Sequence, residues 1–445
     1  MPSAPPKDGK DDPRTVFGWC MYDWANSAYI TTAVGLLPIF FASTIVPKGG
    51  AIIFGETYRA DTLWGFTVGL AGALSFLFAP VLGAIADFSA AKKKFLVGFA
   101  YTGALFCMLL YFVRSGDVLT TLLIFLVSQV GFVNANVFYD AFLPHVSSDE
   151  KMDQTSARGY AFGYVGGGLQ FAIALALVSL NEQLGLAKEH AARIAIAMAG
   201  LWWLGFTIYS MRILHEAPSV EPLPEKYRGR PWWQAYLAIG VTRTWSTTLR
   251  AARFKHLLLF LLAFMMYNEG IQTVINMATT YGTVELKLPA SALMLTLLII
   301  QFVAFPGSLL FSWLAGKIGT RRSIIVALLI WCGVVVYAYF MTTIYQFFAL
   351  GMVVGIAQGG SQALSRSYYG SMIPPEASAE FFGFYTVFSK FSAIWGPWVF
   401  ALITHFAQSA RVAIVSLIVF FVIGVILLSL VDEKQARAAR VEGAF

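Results

Sequence analysis

Four groups of polar side chains interrupt otherwise apolar sequence. Asp23 and Asn26 lie in the stretch YDWANSAY, from Tyr22 to Tyr29. Gln129, Asn136 and Asp140 follow at intervals of seven and four, and Gln358, Gln362 and Arg366 at intervals of four. Asn268, Glu269, Gln272 and Asn276 fall on one broad helical face, and Gln170, Gln301 and Lys390 stand more singly. Such spacings align side chains along a helix. Two kinds of chemistry fit these residue types. Arg366 and Lys390 can meet a carboxylate while Asp23 or Glu269 meets an ammonium, as binding of a polar or zwitterionic solute requires. Alternatively, an acid that gains and loses a cationic neighbour takes up and releases a coupling proton. The amides can equally bond helix to helix, and Asp140 and Arg366 can serve as seam or cap residues.

The elements that must carry these groups are membrane helices. Of 445 residues, 58% are apolar and 12% charged, with mean hydropathy +0.68; soluble domains are nearer about a quarter charged. The chain reads as an all-α, multi-pass membrane protein, in which an ionisable residue at depth marks function. Cys20, Cys107 and Cys332 are scattered through apolar runs and read as packing residues. No metal-ligand spacing and no Gly-Lys phosphate loop occurs, so no cofactor, no metal, no catalytic residues and no ATP-driven pumping are expected.

Apolar runs long enough to cross a bilayer fall at 17–46, 62–86, 95–113, 118–143, 157–180, 191–213, 256–281, 290–315, 323–342, 345–370, 381–405 and 411–431. These are numbered spans 1 to 12. The organisation expected is a disordered tail over 1–16, a six-helix bundle over 17–213, a cytoplasmic linker over 214–255, a second bundle over 256–431 and a tail over 432–445. Most of the 31 lysines and arginines fall on the links that face inward if the N-terminus is cytoplasmic, so both termini are expected inside. The net charge of +7 is then a topology signal and a contact with anionic membrane lipids, not a nucleic-acid footprint.

A weak internal repeat relates the bundles. Met21-Tyr22-Asp23 parallels Met266-Tyr267-Asn268, and Tyr139 to Pro144 parallels Tyr369 to Pro374. Phe162-Gly163-Tyr164 parallels Phe382-Gly383-Phe384, and the link from Gly83 through Asp87 to Lys92 parallels Ser312 through Gly316 to Arg321. Two six-span halves in parallel repeat are the layout of the major facilitator superfamily. That resemblance implies that spans 1, 4, 7 and 10 line a central cavity. It also makes Asp87, Lys92, Arg321 and Arg322 gating residues, with Asp87 pairing cationic groups across the seam between halves. Ala90 stands in place of a usual glycine, and Gly316 in place of the second acid.

YDWANSAY, YNEGIQTVI from Tyr267, LPHVSS from Leu143, the turn Gly159 to Tyr164 and GGSQALSRSYYGSMIP from Gly359 resemble the vacuole effluxer-like branch of that superfamily. This branch usually has Asp where Glu269 stands. The resemblance implies alternating access for a small-molecule solute, with amino acids as the substrate class; the acids at membrane depth make a proton the expected coupling ion, and tails with no obvious organelle-targeting stretch make the plasma membrane the expected site. Substrate and coupling-ion candidates are Asp23, Asn26, Asn136, Asp140, Asn268, Glu269, Gln272, Asn276, Gln362, Arg366 and Lys390. Movement of a lipid or amphiphile by the same fold is the alternative, and a non-transporting scaffold or receptor a remote one.

Overall fold

The computed structural model describes residues 9–53, 55–216, 223–227, 229–251, 255–407 and 409–441. Every one of the twelve apolar runs lies on helix. Among the described residues, ten helices are long and apolar enough to cross a membrane, and an eleventh crossing is a broken one. In that crossing, span 1, helix Pro13–Gly35 bends by 41° into Leu37–Ile45. The break falls where Pro38 brings no backbone N–H to the ladder. Span 11 is the 30-residue helix Ser378–Ala407.

Local chemistry sets several ends. The Asp12 carboxylate accepts from the Thr15 N–H at 2.8 Å, with Pro13 opening the helix. The tail expected over 1–16 is therefore shorter, since helix starts at Pro13 and the Asp11 backbone N–H donates to the Val146 carbonyl; residues 1–8 lie outside the described residues. Span 2, Ala60–Ser89, ends on Ala90 at φ 48°. This left-handed cap is the conformation glycine would adopt without strain. Span 10, Ile344–Met372, opens with a reciprocal capping box between Thr343 and Gln346. A short hairpin, Ala51–Ile53 with Glu56–Tyr58, joins spans 1 and 2. Helices Trp232–Ala251 and Glu433–Val441 occupy parts of the expected linker and C-terminal tail.

The repeat glimpsed in sequence is explicit in packing. In the first half, span 1 packs on spans 5 and 6, span 3 on spans 4 and 6, and span 2 on span 4. In the second half, span 7 packs on 11 and 12, span 9 on 10 and 12, and span 8 on 10. Each pair has its counterpart six spans later. The seam obeys the same symmetry: span 2 meets span 11, and span 5 meets span 8. Two pseudo-symmetric six-helix bundles thus face each other, and residues on spans 1, 4, 7 and 10 look into the space between them.

Candidate functional site

That space is a cavity of about 440 Å³. At one end lie Asp23, Asn26, Asn136, Asp140, Gln362, Arg366 and Lys390; towards the other are Val334, Ala338, Met341, Phe347 and Leu350. Phe347 and Arg366 share span 10, so the cavity runs about 28 Å along that helix at 1.5 Å per residue.

Arg366 forms the floor. It comes from the second half, is 2% exposed, and spends its donors on the first half. Its Nη1 donates to Asp23 Oδ2 at 3.2 Å and to Asp140 Oδ1 at 3.0 Å. Its Nε donates to the Ser156 hydroxyl at 3.0 Å, and its Nη2 to the Ser156 carbonyl at 2.9 Å. The guanidinium carbon stands 4.1 Å from the Tyr160 ring centroid, 4.8 Å from Trp19 and 5.5 Å from Tyr139, a set of cation–π contacts. The Tyr139 hydroxyl donates to Asp23 Oδ2 at 2.7 Å, and Trp19 Nε1 fixes the Tyr139 carbonyl at 3.0 Å. A planar guanidinium is suited to such a shared, caged role, which a lysine could not reproduce. Gly159 makes the close approach feasible, since a Cβ there would press on Asp23, Trp19 and Arg366 together.

Above the floor, Asn26 Nδ2 donates to Asn136 Oδ1 at 2.6 Å, and the Tyr164 hydroxyl to Gln362 Oε1 at 2.7 Å. Asn268 Nδ2 donates to the Ser389 carbonyl at 3.3 Å, and Gln272 Nε2 to Asn268 Oδ1 at 3.5 Å. Asn276 lines the same wall. Lys390 reaches the cavity from span 11 with no hydrogen-bond or ion-pair partner among the described residues. Glu269 is placed apart from its neighbours. It is 1% exposed, lies off the cavity and accepts from the Gly396 N–H of span 11. Residues 268, 272 and 276 recur at the helical spacing, whereas 269 is rotated onto the packed side. Gln170 is fully buried and accepts from Thr32 Oγ1 at 3.1 Å, a helix-to-helix bond.

The cavity is sealed below Arg366, at the end carrying the 89–92, 147–151, 319–320 and 373–378 links, called here the basic end. The Asp87 carboxylate accepts from the Ala379 N–H at 3.2 Å and the Glu380 N–H at 2.8 Å, at the start of span 11. Exposed N–H groups and the helix dipole make that terminus a site for an anion. The sequence expectation is corrected in one respect: the cation on Asp87 is Lys92, 3.0 Å away in the same half, and what crosses the seam is backbone. Gly83 and Gly383 let the two helices meet, since a Cβ on either would overlap the opposing backbone.

The second half lacks the equivalent acid, and the acid sits on the other partner instead. Asp153, at the start of span 5, accepts from Thr320 Oγ1 at 2.6 Å and Ser367 Oγ at 2.5 Å. Arg321 turns away from the seam to the Val431 carbonyl, and Arg322 is exposed. His145 bridges Lys92 Nζ at 3.0 Å and Ser378 Oγ at 3.1 Å. Arg440 of the C-terminal helix adds a clamp, 3.0 Å from both Asp149 oxygens and from the Ser371 carbonyl.

Sequence reasoning passed over Tyr139, Ser156, Tyr160, Asp153 and His145. One signal was available: Tyr139-Asp140 repeats the dipeptide Tyr22-Asp23, and both acids meet one arginine.

Two pseudo-symmetric bundles around a cavity with polar groups at its bolted end and apolar ones at the other define a secondary transporter of the major facilitator type. The fold agrees with solved transporters of that superfamily. FucP in the outward conformation aligns with TM-score 0.69 over 95% of this chain and 99% of its own, at 13% identity. The human organic anion transporter MFSD10 aligns with TM-score 0.66 over 94% and 100%, at 15% identity.

The profile described as "Vacuole effluxer Atg22 like" matches residues 11–441, and the chain belongs to that family. The uncharacterized MFS-type transporter YxiO of Bacillus subtilis is 36% identical over 94% of this chain and 95% of its own. Autophagy-related protein 22-1 of Aspergillus fumigatus is 28% identical over 66% of this chain, which spans half the length of that fungal relative. The relatives are transporters, not enzymes.

Proposed function

We propose that this transporter is a proton-coupled carrier of amino acids in the plasma membrane, with both termini cytoplasmic. The carrying observation is the division of charge in the cavity. The charge of Arg366 is taken up by Asp23 and Asp140, while Lys390 faces the cavity with no partner among the described residues. A lone cation among amides is a seat for a carboxylate. Lys390 would hold the carboxylate of the solute, and Asn26, Asn136, Asn268, Gln272, Asn276 and Gln362 would satisfy its remaining polar atoms.

Coupling would run through Asp23 and Asp140. A cationic neighbour keeps a carboxyl ionised, and loss of that neighbour in a buried site favours the protonated form. Protonation from the cavity would weaken the hold on Arg366 and free the second half to separate at the basic end. Re-forming the pair on closure would expel the proton. The basic links favour the basic end as cytoplasmic, which makes the bolted end the inner gate, with Asp87 and Lys92 in its lock.

A second reading, carriage of an amphiphile, is favoured by the apolar far end of the cavity at Val334, Met341 and Phe347. Thermal unfolding of the purified protein with a ligand panel separates the two, because a ligand that binds only the folded state raises Tm. The proposal expects free amino acids to raise Tm and their methyl esters to lose the effect. Stabilisation by lysolipids alone would overturn it.

A further inference from the structure

The helix Trp232–Ala251, between the two halves, buries one face and leaves another bare. Its buried side packs on span 2. Ala235 and Ile239 join Phe88 and Tyr227 in a small cluster separate from the main core. Gly240 closes on the Val81 carbonyl and the Ile85 side chain, and the Arg243 guanidinium stands 5.0 Å from the Phe88 ring centroid.

The opposite arc carries Trp233, Leu237, Val241, Trp245 and Leu249, exposed by 54, 50, 52, 67 and 55%. At 100° per residue, four-residue steps sweep these across about 160° of the helix surface. The residues interleaved on that arc include Gln234, Ala238, Thr244 and Thr248, and none of them is charged. Within the helix, Arg243 lies on the buried side, over Phe88; Arg230 precedes the helix and Lys255 follows it in sequence.

A contiguous apolar face of this kind marks an interaction surface. The helix beneath is a membrane span, and its own exposed Phe76, Leu77 and Phe78 lie within about two turns of Val81. The bare arc therefore continues the exposed apolar surface of a helix long and apolar enough to cross a membrane. Tryptophan favours the boundary between headgroups and chains, and basic residues at the flanks favour anionic headgroups.

We propose that Trp232–Ala251 is a membrane-surface helix, its Trp233–Leu249 arc seated in the leaflet at the basic end and its basic flanks on anionic phospholipid headgroups. The connection between the halves is thereby anchored to the bilayer, and rocking of the halves must move this anchor within the leaflet.

Spin labels on the full chain test the proposal. Single cysteines replace Leu237, Val241 or Trp245, with Cys20, Cys107 and Cys332 changed to alanine and Glu182→Cys as the water-exposed reference. The protein is placed in phosphatidylcholine vesicles with about a quarter phosphatidylglycerol, enough to give a negative surface potential. Collision with oxygen, which partitions into lipid, is expected to exceed collision with a water-soluble nickel chelate at all three positions, and the reverse at 182. Removing phosphatidylglycerol is expected to raise nickel access at 245. Nickel access equal to that at 182 would overturn the proposal, and so would shielding from both probes, the signature of a second copy or another protein. Identical access with and without phosphatidylglycerol would overturn the assignment of anionic headgroups.

Discussion

Arg366 belongs to the second half and Asp23 to the first, and their Nη1 and Oδ2 atoms stand 3.2 Å apart with side chains 2% and 11% exposed. Asp140 shares the same nitrogen at 3.0 Å. One cation thus holds two acids from the opposite bundle, at the boundary between the open cavity and the bolted end. Breaking a buried pair by removing one partner costs about 3–5 kcal/mol, because the other is left uncompensated. Arg366→Ala is expected to lower the Tm of the purified protein by several degrees. Arg366→Lys is expected to recover only part of the loss, since an ammonium cannot reach Asp23, Asp140 and Ser156 in one fork. An unchanged Tm in both variants would contradict a seam pair.

The lock at the basic end makes a separate prediction. Asp87→Asn removes the charge that meets the Ala379 and Glu380 N–H groups and Lys92. Gly83→Val puts bulk against the same backbone. Both are expected to favour separation at this end. Distances between spin labels at Ser89→Cys and Glu376→Cys, on opposite sides of the seam, should lengthen in either variant. Gly65→Ala, at a position with nothing within 4 Å, should leave them unchanged.

Lys390 separates binding from folding. It has no described partner to lose, so Lys390→Met is expected to keep or raise Tm while abolishing stabilisation by amino acids. Lys390→Arg should restore part of that response. Loss of Tm in the methionine variant would mean that the lysine is bound within the fold.

Asn268, Glu269 and Gln272 divide the same way within one helix. Glu269 meets the Gly396 N–H off the cavity, whereas Gln272 lines it. Glu269→Ala is expected to cost stability, about 1–3 kcal/mol for the donor left unsatisfied. Gln272→Leu is expected to cost substrate response with little change in Tm. Thermal unfolding with and without ligand reads both effects.

The twelve apolar runs and their repeat were legible because hydropathy and length are strong constraints in a bilayer. The face looking into the cavity was legible wherever polar residues recur at three or four positions, as with Asn136 and Asp140 or Gln362 and Arg366. Glu269 was not, because one residue is a rotation of about 100° and pattern alone does not say which side of a polar-rich helix faces water. The pairing across the seam was likewise hidden. Gly316 reads as a missing acid, and only packing reveals that Asp153 supplies it from the other half. The bare arc of Trp232–Ala251 was hidden for a related reason: a link rich in tryptophan and arginine has no partner in the sequence until span 2 is laid beneath it.

The most direct test of the account is uptake of labelled amino acids into proteoliposomes under an imposed pH gradient, with Asp23→Asn beside the unmodified chain. The account predicts gradient-driven accumulation by the unmodified protein and, in the variant, loss of that accumulation, because an amide cannot exchange the coupling proton. Gradient-driven accumulation of equal extent in the variant would contradict a proton path through Asp23, and movement of no amino acid by folded protein would contradict the substrate class.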